Sequence, residues 1–287
     1  MDARFHRWQR TTYRTLLYLT IVSVAVVMAF PVYWMYLTSF KTDEAISAAE
    51  PVWLSVDPNH YTFGHYKAVL GQAMTTGDDF LTATFNSTVY TILATGGTLL
   101  ISAMAAYVLA KKRFRGDMLV LYGIIATMMI PAPVVMIPTF WIVVDLMRGY
   151  DTFGGLIVPG LTNAAGIFLL RQYMLSIPDD LLDAAKIDGC GDIRIFLTLI
   201  LPLSAPILAA LGILSLMGHW NALIWPLILT KDLTLLPVAM LNLREIGSQS
   251  FGPVMVGAVL TATPMILAFL VARRYFIRGL TSGAIKM

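Results

Sequence analysis

The sequence predicts an all-α, polytopic membrane protein with six transmembrane helices and both termini in the cytoplasm. Three observations carry this. Of 287 residues, 57% are hydrophobic and only 13% are charged, about half the charged fraction of a soluble domain. Blocks free of Asp, Glu, Lys and Arg run over 16–40, 84–110, 118–144, 152–170, 203–229 and 253–272, and about 20 apolar residues suffice to cross a hydrocarbon core. Basic residues alternate between the connections. Arg4, Arg7, Arg10, Arg14, Lys111, Lys112, Arg113, Arg115, Arg171, Lys186, Arg194, Arg273, Arg274, Arg278 and Lys286 fall on the N-terminal side of the membrane, leaving only Lys41, Lys67, Arg148, Lys231 and Arg244 opposite. That asymmetry places both ends in the cytoplasm. It also excludes nucleic-acid binding, because the net charge of +3 is divided by side rather than gathered in a patch.

The first block follows four arginines but is about twice as long as a secretory h-region, so it is read as a retained anchor behind an amphipathic N-terminus over 1–15. An outer loop over 41–83 carries Trp53, Tyr61, Phe63 and Tyr66. Asn86 and Ser87 open the second block and are read as its cap. Pro131, Pro133 and Pro138 interrupt the third block, and Pro202, Pro206 and Pro226 bracket or interrupt the fifth. A lipid-facing helix tolerates such breaks only where neighbours or a water-filled cavity satisfy the freed carbonyls, so these two helices are expected to line a path. The transmembrane domain spans 16–272, with one long cytoplasmic loop at 171–202, and a cytoplasmic tail covers 273–287.

The spans are poor in chemistry. They contain no Asp, Glu, Lys or Arg, and only His219 could titrate. The midplane carboxylate common in proton- or sodium-coupled transporters is missing. So are a nucleophile–base set and a G-x-x-x-x-G-K-[ST] phosphate loop. Cys190 permits no internal disulfide, and His6, His60, His65 and His219 show no metal-ligand spacing. A solute moved uphill would therefore draw its energy from a partner. Span five offers His219, Trp220, Asn221 and Trp225, an aromatic face with an amide that suits a sugar ring. Trp225 also fits an interfacial aromatic belt. An amide facing lipid without a partner costs several kcal/mol, so Asn221 is expected to bond another helix or meet substrate.

Between spans four and five, Ser176 is placed to cap a short helix whose first turn holds Pro178, Asp179 and Asp180. Asp179, Asp183 and Lys186 lie on one side and Leu181, Leu182 and Ala185 on the other. Gly189 is suited to a left-handed stop, and Asp192 to capping a second helix that runs into span five.

The run Asp183-Ala184-Ala185-x-x-Asp188-Gly189, followed by Leu201-Pro202-Leu203 and Pro206, resembles the E-A-A-x-x-x-G loop of permease subunits of bacterial ATP-binding-cassette importers. Ser39-Phe40-Lys41, Ile130-Pro131 with Ile137-Pro138, Trp220-Asn221 and the closing Gly279 to Ala284 are similar to the MalG-type sugar permeases. Asp183 stands where that family usually has Glu, and Cys190 where Ala is usual.

The resemblance implies a type I importer transmembrane domain in a bacterial inner membrane, forming half of a sugar path and having no catalysis of its own. ATP and Mg would be bound by two nucleotide-binding ATPase subunits, and the chain would carry no cofactor. The other partners implied are a homologous second permease and an extracytoplasmic substrate-binding protein. Asp183, Ala184, Ala185, Asp188 and Gly189 would couple to the ATPase, joined by Thr281, Ser282 and Gly283 of the tail. A polyol or glycerol-phosphate ester is the alternative cargo, and a self-sufficient secondary transporter is the alternative class.

Overall fold

The computed structural model describes residues 2–48, 57–71, 79–246 and 250–284, with side chains over 13–48, 57–71, 79–243 and 250–271. Trp53 and Lys286 lie outside the described residues, as do the side chains of Thr281, Ser282 and Gly283. Two compact units are present, one of residues 1–72 with 243–260 and one of 73–242 with 261–287.

In the first unit, α1 (Asp2–Ser39) carries Pro31 within it. At its end the Ser39 hydroxyl donates to the Tyr36 carbonyl at 2.7 Å and lies 2.9 Å from the Tyr66 hydroxyl. The chain leaves in an extended stretch in which Lys41 pairs antiparallel with Tyr61. Two short helices follow, α2 (Asp43–Ser47), capped by Thr42, and α3 (Gly64–Gly71). Lys41 is buried with its ammonium 4.0 Å from the Trp34 ring centroid, and that burial pushes its pKa below the ordinary lysine value.

The second unit is organised on α4 (Phe80–Lys111), a continuous helix capped by the Asp79 carboxylate, which accepts from the Thr82 amide at 2.6 Å. Residues three and four apart share a helix face, and Ala83, Ser87, Tyr90, Ala94, Thr98, Ala103 and Ala106 make its buried stripe. Asn86 and Ser87 sit one to two turns inside the helix rather than at its cap. Asn86 donates to the Thr234 carbonyl at 3.1 Å, and Ser87 accepts from the Leu236 amide at 2.6 Å. They thereby anchor the entry to α14 (Leu236–Ile246).

Prolines break the remaining apolar segments. Helix α5 (Asp117–Thr127) meets α6 (Ala132–Trp141) at a bend of 100°, with Pro131 at the junction. A single wide turn, Ile142–Leu146, prolongs α6. Helix α7 (Phe153–Ile157) leads through Val158–Gly160 to α8 (Ala164–Leu175) at 48°. After the hairpin helix α9 (Asp179–Ile187), α10 (Asp192–Ile195) continues through Phe196–Ile200 into α11 (Leu201–Leu203). That leg meets α12 (Ala205–Trp220) at 79°. The second helix expected to run from Asp192 into span five is thus present, with Asp192 and Arg194 in its first turn. Span five ends earlier than expected. The chain breaks at Asn221, and Ile224–Leu229, with Pro226 inside it, forms the separate α13. The final helix α15 (Gly252–Ala284) runs on into the stretch expected as a tail, of which residues 273–284 are described.

Among the described residues, three helical stretches are long and apolar enough to cross a membrane: Tyr13–Ser39, Phe80–Lys111 and Gly252–Val271. The three bent pairs pass the same criteria when each is taken as one span.

Candidate coupling hairpin and transport path

The hairpin between α8 and α10 is built as a helix with a built-in stop. Gly189 has φ +78, and its amide donates to the Lys186 carbonyl at 2.9 Å while the Cys190 amide donates to the Ala185 carbonyl at 2.9 Å. This pair of bonds closes the helix end around a left-handed residue. Nothing lies within 4 Å of a Cβ built on Gly189. Glycine is therefore required there by backbone conformation, not by space.

The two expected caps are used otherwise. Ser176 donates to the Tyr173 carbonyl at 2.8 Å, closing the end of α8, and Pro178 takes the cap position of α9. Gly191 occupies the cap of α10, while the Asp192 carboxylate bonds Lys112. Lys111 reaches the other leg, donating to the Ile177 carbonyl at 2.5 Å and to Asp179 at 2.7 Å. Its ammonium holds the Asp179 carboxyl below the usual carboxylate range. Asp183 pairs with Lys186 one turn on at 2.8 Å, and that hydrogen bond raises the lysine pKa.

Leu182 is buried in a cluster with Tyr107, Met174 and Phe196, and Ala185 and Cys190 pack against it. The opposite surface is open: Asp183, Ala184, Asp188 and Gly189 are exposed, beside Ile187 at 87%. Ile193, the second residue of α10, is 77% exposed. The hairpin thus shows Ile187 and Ile193 beside its charged side chains. Ile187, Ile193, Lys111 and Lys112 escape the sequence reading, although two lysines at the end of a span followed by an acidic hairpin were a visible cue.

Two cavities in the second unit separate the residues expected on span five. Successive residues on a helix point about 100° apart, so His219, Trp220 and Asn221 cannot share one surface. His219 lines a cavity of about 590 Å³ with Thr98, Thr127, Thr162, Asn163 and Ser215. Its Nδ1 lies 3.0 Å from the Thr95 hydroxyl, and its ring meets Tyr90 edge-on at 5.9 Å. Asn221 and Trp225 line another cavity, of about 740 Å³, with Tyr90, Pro133, Met136 and Thr139. The Asn221 amide finds its partner in its own helix, donating to the Met217 carbonyl at 2.8 Å. Trp225 donates to the Gly155 carbonyl at 3.3 Å. Trp220 is 5% exposed and donates to the Thr261 carbonyl at 3.1 Å, so it packs away from both cavities. Ser215 contributes a buried hydroxyl with no hydrogen-bond partner. Neither cavity has an Asp, Glu, Lys or Arg in its lining.

At the other end of the unit, Asp151 ties two loops together. Its carboxylate accepts from the amides of Lys231, Asp232 and Leu233 at 2.9, 3.2 and 2.9 Å. Burial opposes its ionisation, but these amides and the Lys231 charge outweigh it and hold the pKa below the ordinary value. A carboxyl whose pKa is lowered by folding stabilises the fold above its unfolded pKa of about 3.9 and loses that contribution as pH falls through the folded value. Asp151→Asn is therefore expected to lower the thermal midpoint in detergent at pH 7. The gap from the parent should close as the pH is taken below about 4. A gap independent of pH would assign the effect to packing.

The two units thus hold a membrane-suited helical assembly with an exposed hairpin and uncharged cavities, the parts of a transport subunit. The chain matches the family described as "Binding-protein-dependent transport system inner membrane component" over residues 97–282, and it belongs to that family. It is 32% identical over 283 residues to the arabinooligosaccharides transport system permease protein AraQ of Bacillus subtilis (strain 168), covering 98% of this chain and 99% of that one. It is 30% identical to the sn-glycerol-3-phosphate transport system permease protein UgpE of Brucella suis biovar 1 (strain 1330), covering 95% and 97%. A chain in the crystal structure of a bacterial ABC transporter involved in the import of the acidic polysaccharide alginate matches with a TM-score of 0.76 and 26% identity, covering 96% and 99%. The fold is that of a type I ABC importer permease.

Proposed function

We propose that this chain forms one half of the translocation path of an importer for a neutral sugar, with six crossings and both termini in the cytoplasm. The three unbroken helices and three bent pairs supply the crossings, and the distribution of Lys and Arg supports the orientation. On this reading 1–15 is the cytoplasmic N-terminus, 16–272 the transmembrane domain and 273–287 the cytoplasmic end, with Thr281, Ser282 and Gly283 near the ATPase. A homologous permease completes the path, and a substrate-binding protein delivers cargo to the outer loops. Two nucleotide-binding subunits bind ATP and Mg, hydrolyse the ATP and grip the hairpin at Asp183, Ala184, Ala185, Asp188 and Gly189. Ile187 would fill the apolar part of their cleft.

The observation that carries the substrate class is the lining of the two cavities. Hydroxyls, amides and aromatic rings hydrogen-bond and stack on a sugar. With no Lys or Arg in either lining, a phosphate ester or acidic polysaccharide would enter without a permanent counter-charge. The proposed contacts are His219, Asn221 and Ser215 of the fifth segment, Trp225 of α13 and Thr98 of α4, while Trp220 serves packing.

Cells carrying the complete importer should take up labelled neutral oligosaccharides and ignore sn-glycerol 3-phosphate and alginate oligosaccharides. Preferred uptake of either anion would refute the neutral reading. Asn221→Leu is expected to reduce uptake while the complex still assembles, measured as transport rate per purified complex. Wild-type kinetics in that variant would confine Asn221 to closing α12.

A further inference from the structure

Lys111 and Lys112 close α4, and a lysine at a helix C-terminus is ordinarily explained by the favourable end of the helix dipole. These two do more than that. Lys111 is the last helical residue and Lys112 turns into an extended conformation at φ −113, ψ 125, so their side chains part. The Lys111 side chain is only 3% exposed and spans 66 residues of sequence to reach the Ile177 carbonyl and Asp179. Lys112 lies 5.8 Å from the Tyr107 ring centroid and bonds Asp192, 80 residues away. Asp179 opens α9 and Asp192 opens α10. Both legs of the hairpin are thus held by adjacent residues of one helix end, and at the tip Asp188, Gly189 and Gly191 are exposed.

One covalent route from the hairpin into the bundle passes through α10 and α11, which meet α12 at a 79° bend, and the other runs back through α8. By contrast, α4 is unbroken over 32 residues, about 48 Å at 1.5 Å per residue. Both α8 and α12 pack along it. It also carries Thr98 of the smaller cavity. Force applied at the hairpin tip therefore has a path through the lysines straight into α4, beside the two covalent ones through α8 and through α10 and α11.

We propose that Lys111 and Lys112 are positioning residues, a two-point clamp that fixes the coupling hairpin to the end of α4 and passes its displacement directly to the cavity-lining part of that helix. The inference rests on the coupling role proposed above for the hairpin. It adds the residues through which that role is exerted, and it makes α4 the shaft.

The test uses Lys112→Asp, Asp192→Lys, the double swap, Lys111→Met and the conservative Lys112→Arg, each in the complex purified through a tag on this chain. Hydrogen exchange of peptides covering 178–192 is measured first without nucleotide. The three charge-breaking single variants should exchange at least about twofold faster than the parent, as expected for losing a partly exposed ion pair. The double swap and Lys112→Arg should return toward the parent. Next, the change in exchange at peptides covering 95–98 on adding Mg-ATP is compared. It should shrink at least about twofold in the same single variants while ATP hydrolysis persists, and it should recover in the swap.

Unchanged exchange over 178–192 in the single variants would remove the clamp. A loosened hairpin with an undiminished ATP-dependent change at 95–98 would reduce the pairs to local structure and overturn α4 as the shaft. A parent complex that hydrolyses no ATP would instead overturn the coupling role itself, a failure distinguishable because the nucleotide-free comparison still reports whether the clamp exists.

Discussion

Replacing Gly189 with Val is expected to abolish uptake in a complex that still assembles and still hydrolyses ATP. The residue sits at φ +78, where a β-branched side chain crowds the following carbonyl. The strain is about 2 kcal/mol, enough to move a two-state balance about thirtyfold. That strain is relieved by unwinding the closing turn, which releases the bonds from Gly189 to Lys186 and from Cys190 to Ala185 and lets the hairpin tip drift from its cleft. Gly191→Ala is the control, since that glycine has φ −74 and open space around its Cβ. Uptake and ATP hydrolysis measured on the same proteoliposomes read the result. Loss of both in Gly189→Val would indicate failed assembly, and retention of uptake would remove the hairpin from coupling.

The second large effect is expected at Gly155. A Cβ there would lie 2.0 Å from the Gly149 carbonyl oxygen and 2.8 Å from its carbon, so the obstacle is backbone and cannot rotate aside. Gly155 also presents its carbonyl to Trp225 and its amide to the Thr152 hydroxyl at 3.1 Å, and Leu156 beside it is buried with Val143 and Leu229. Gly155→Ala should therefore destabilise the second unit by about 3 kcal/mol, the upper end for overpacking, and lower the yield of folded protein in detergent. Gly154→Ala should be neutral, because only the Thr152 hydroxyl, at 3.8 Å, lies near its Cβ. Thermal midpoints of the two variants measured side by side decide the matter. Equal midpoints would mean that the loop at Gly149 yields.

Local chemistry explains why the hairpin was legible. The stop at Gly189, the acidic first turn of α9, the break at Pro131 and the break at Ser204 between Pro202 and Pro206 are each determined within a few residues. The misreadings have long-range causes. Ser87 looks like a cap until the Leu236 amide, 149 residues away, is brought to it. Asp192 looks like a cap until Lys112 claims it. The run His219-Trp220-Asn221 was read as one surface, yet helical rotation sends the three side chains to a cavity, a packed interior and another cavity. The absence of Asp, Glu, Lys and Arg from the two linings, by contrast, is already implied by spans free of those four residues.

The most direct measurement is to purify the tagged full-length chain in mild detergent, identify by mass spectrometry what accompanies it, and reconstitute the product in liposomes. A homologous permease and a nucleotide-binding ATPase are expected in the preparation, with uptake of a neutral oligosaccharide that requires ATP and the binding protein. A homogeneous chain that moves solute without ATP would contradict that expectation and make this a self-sufficient transporter.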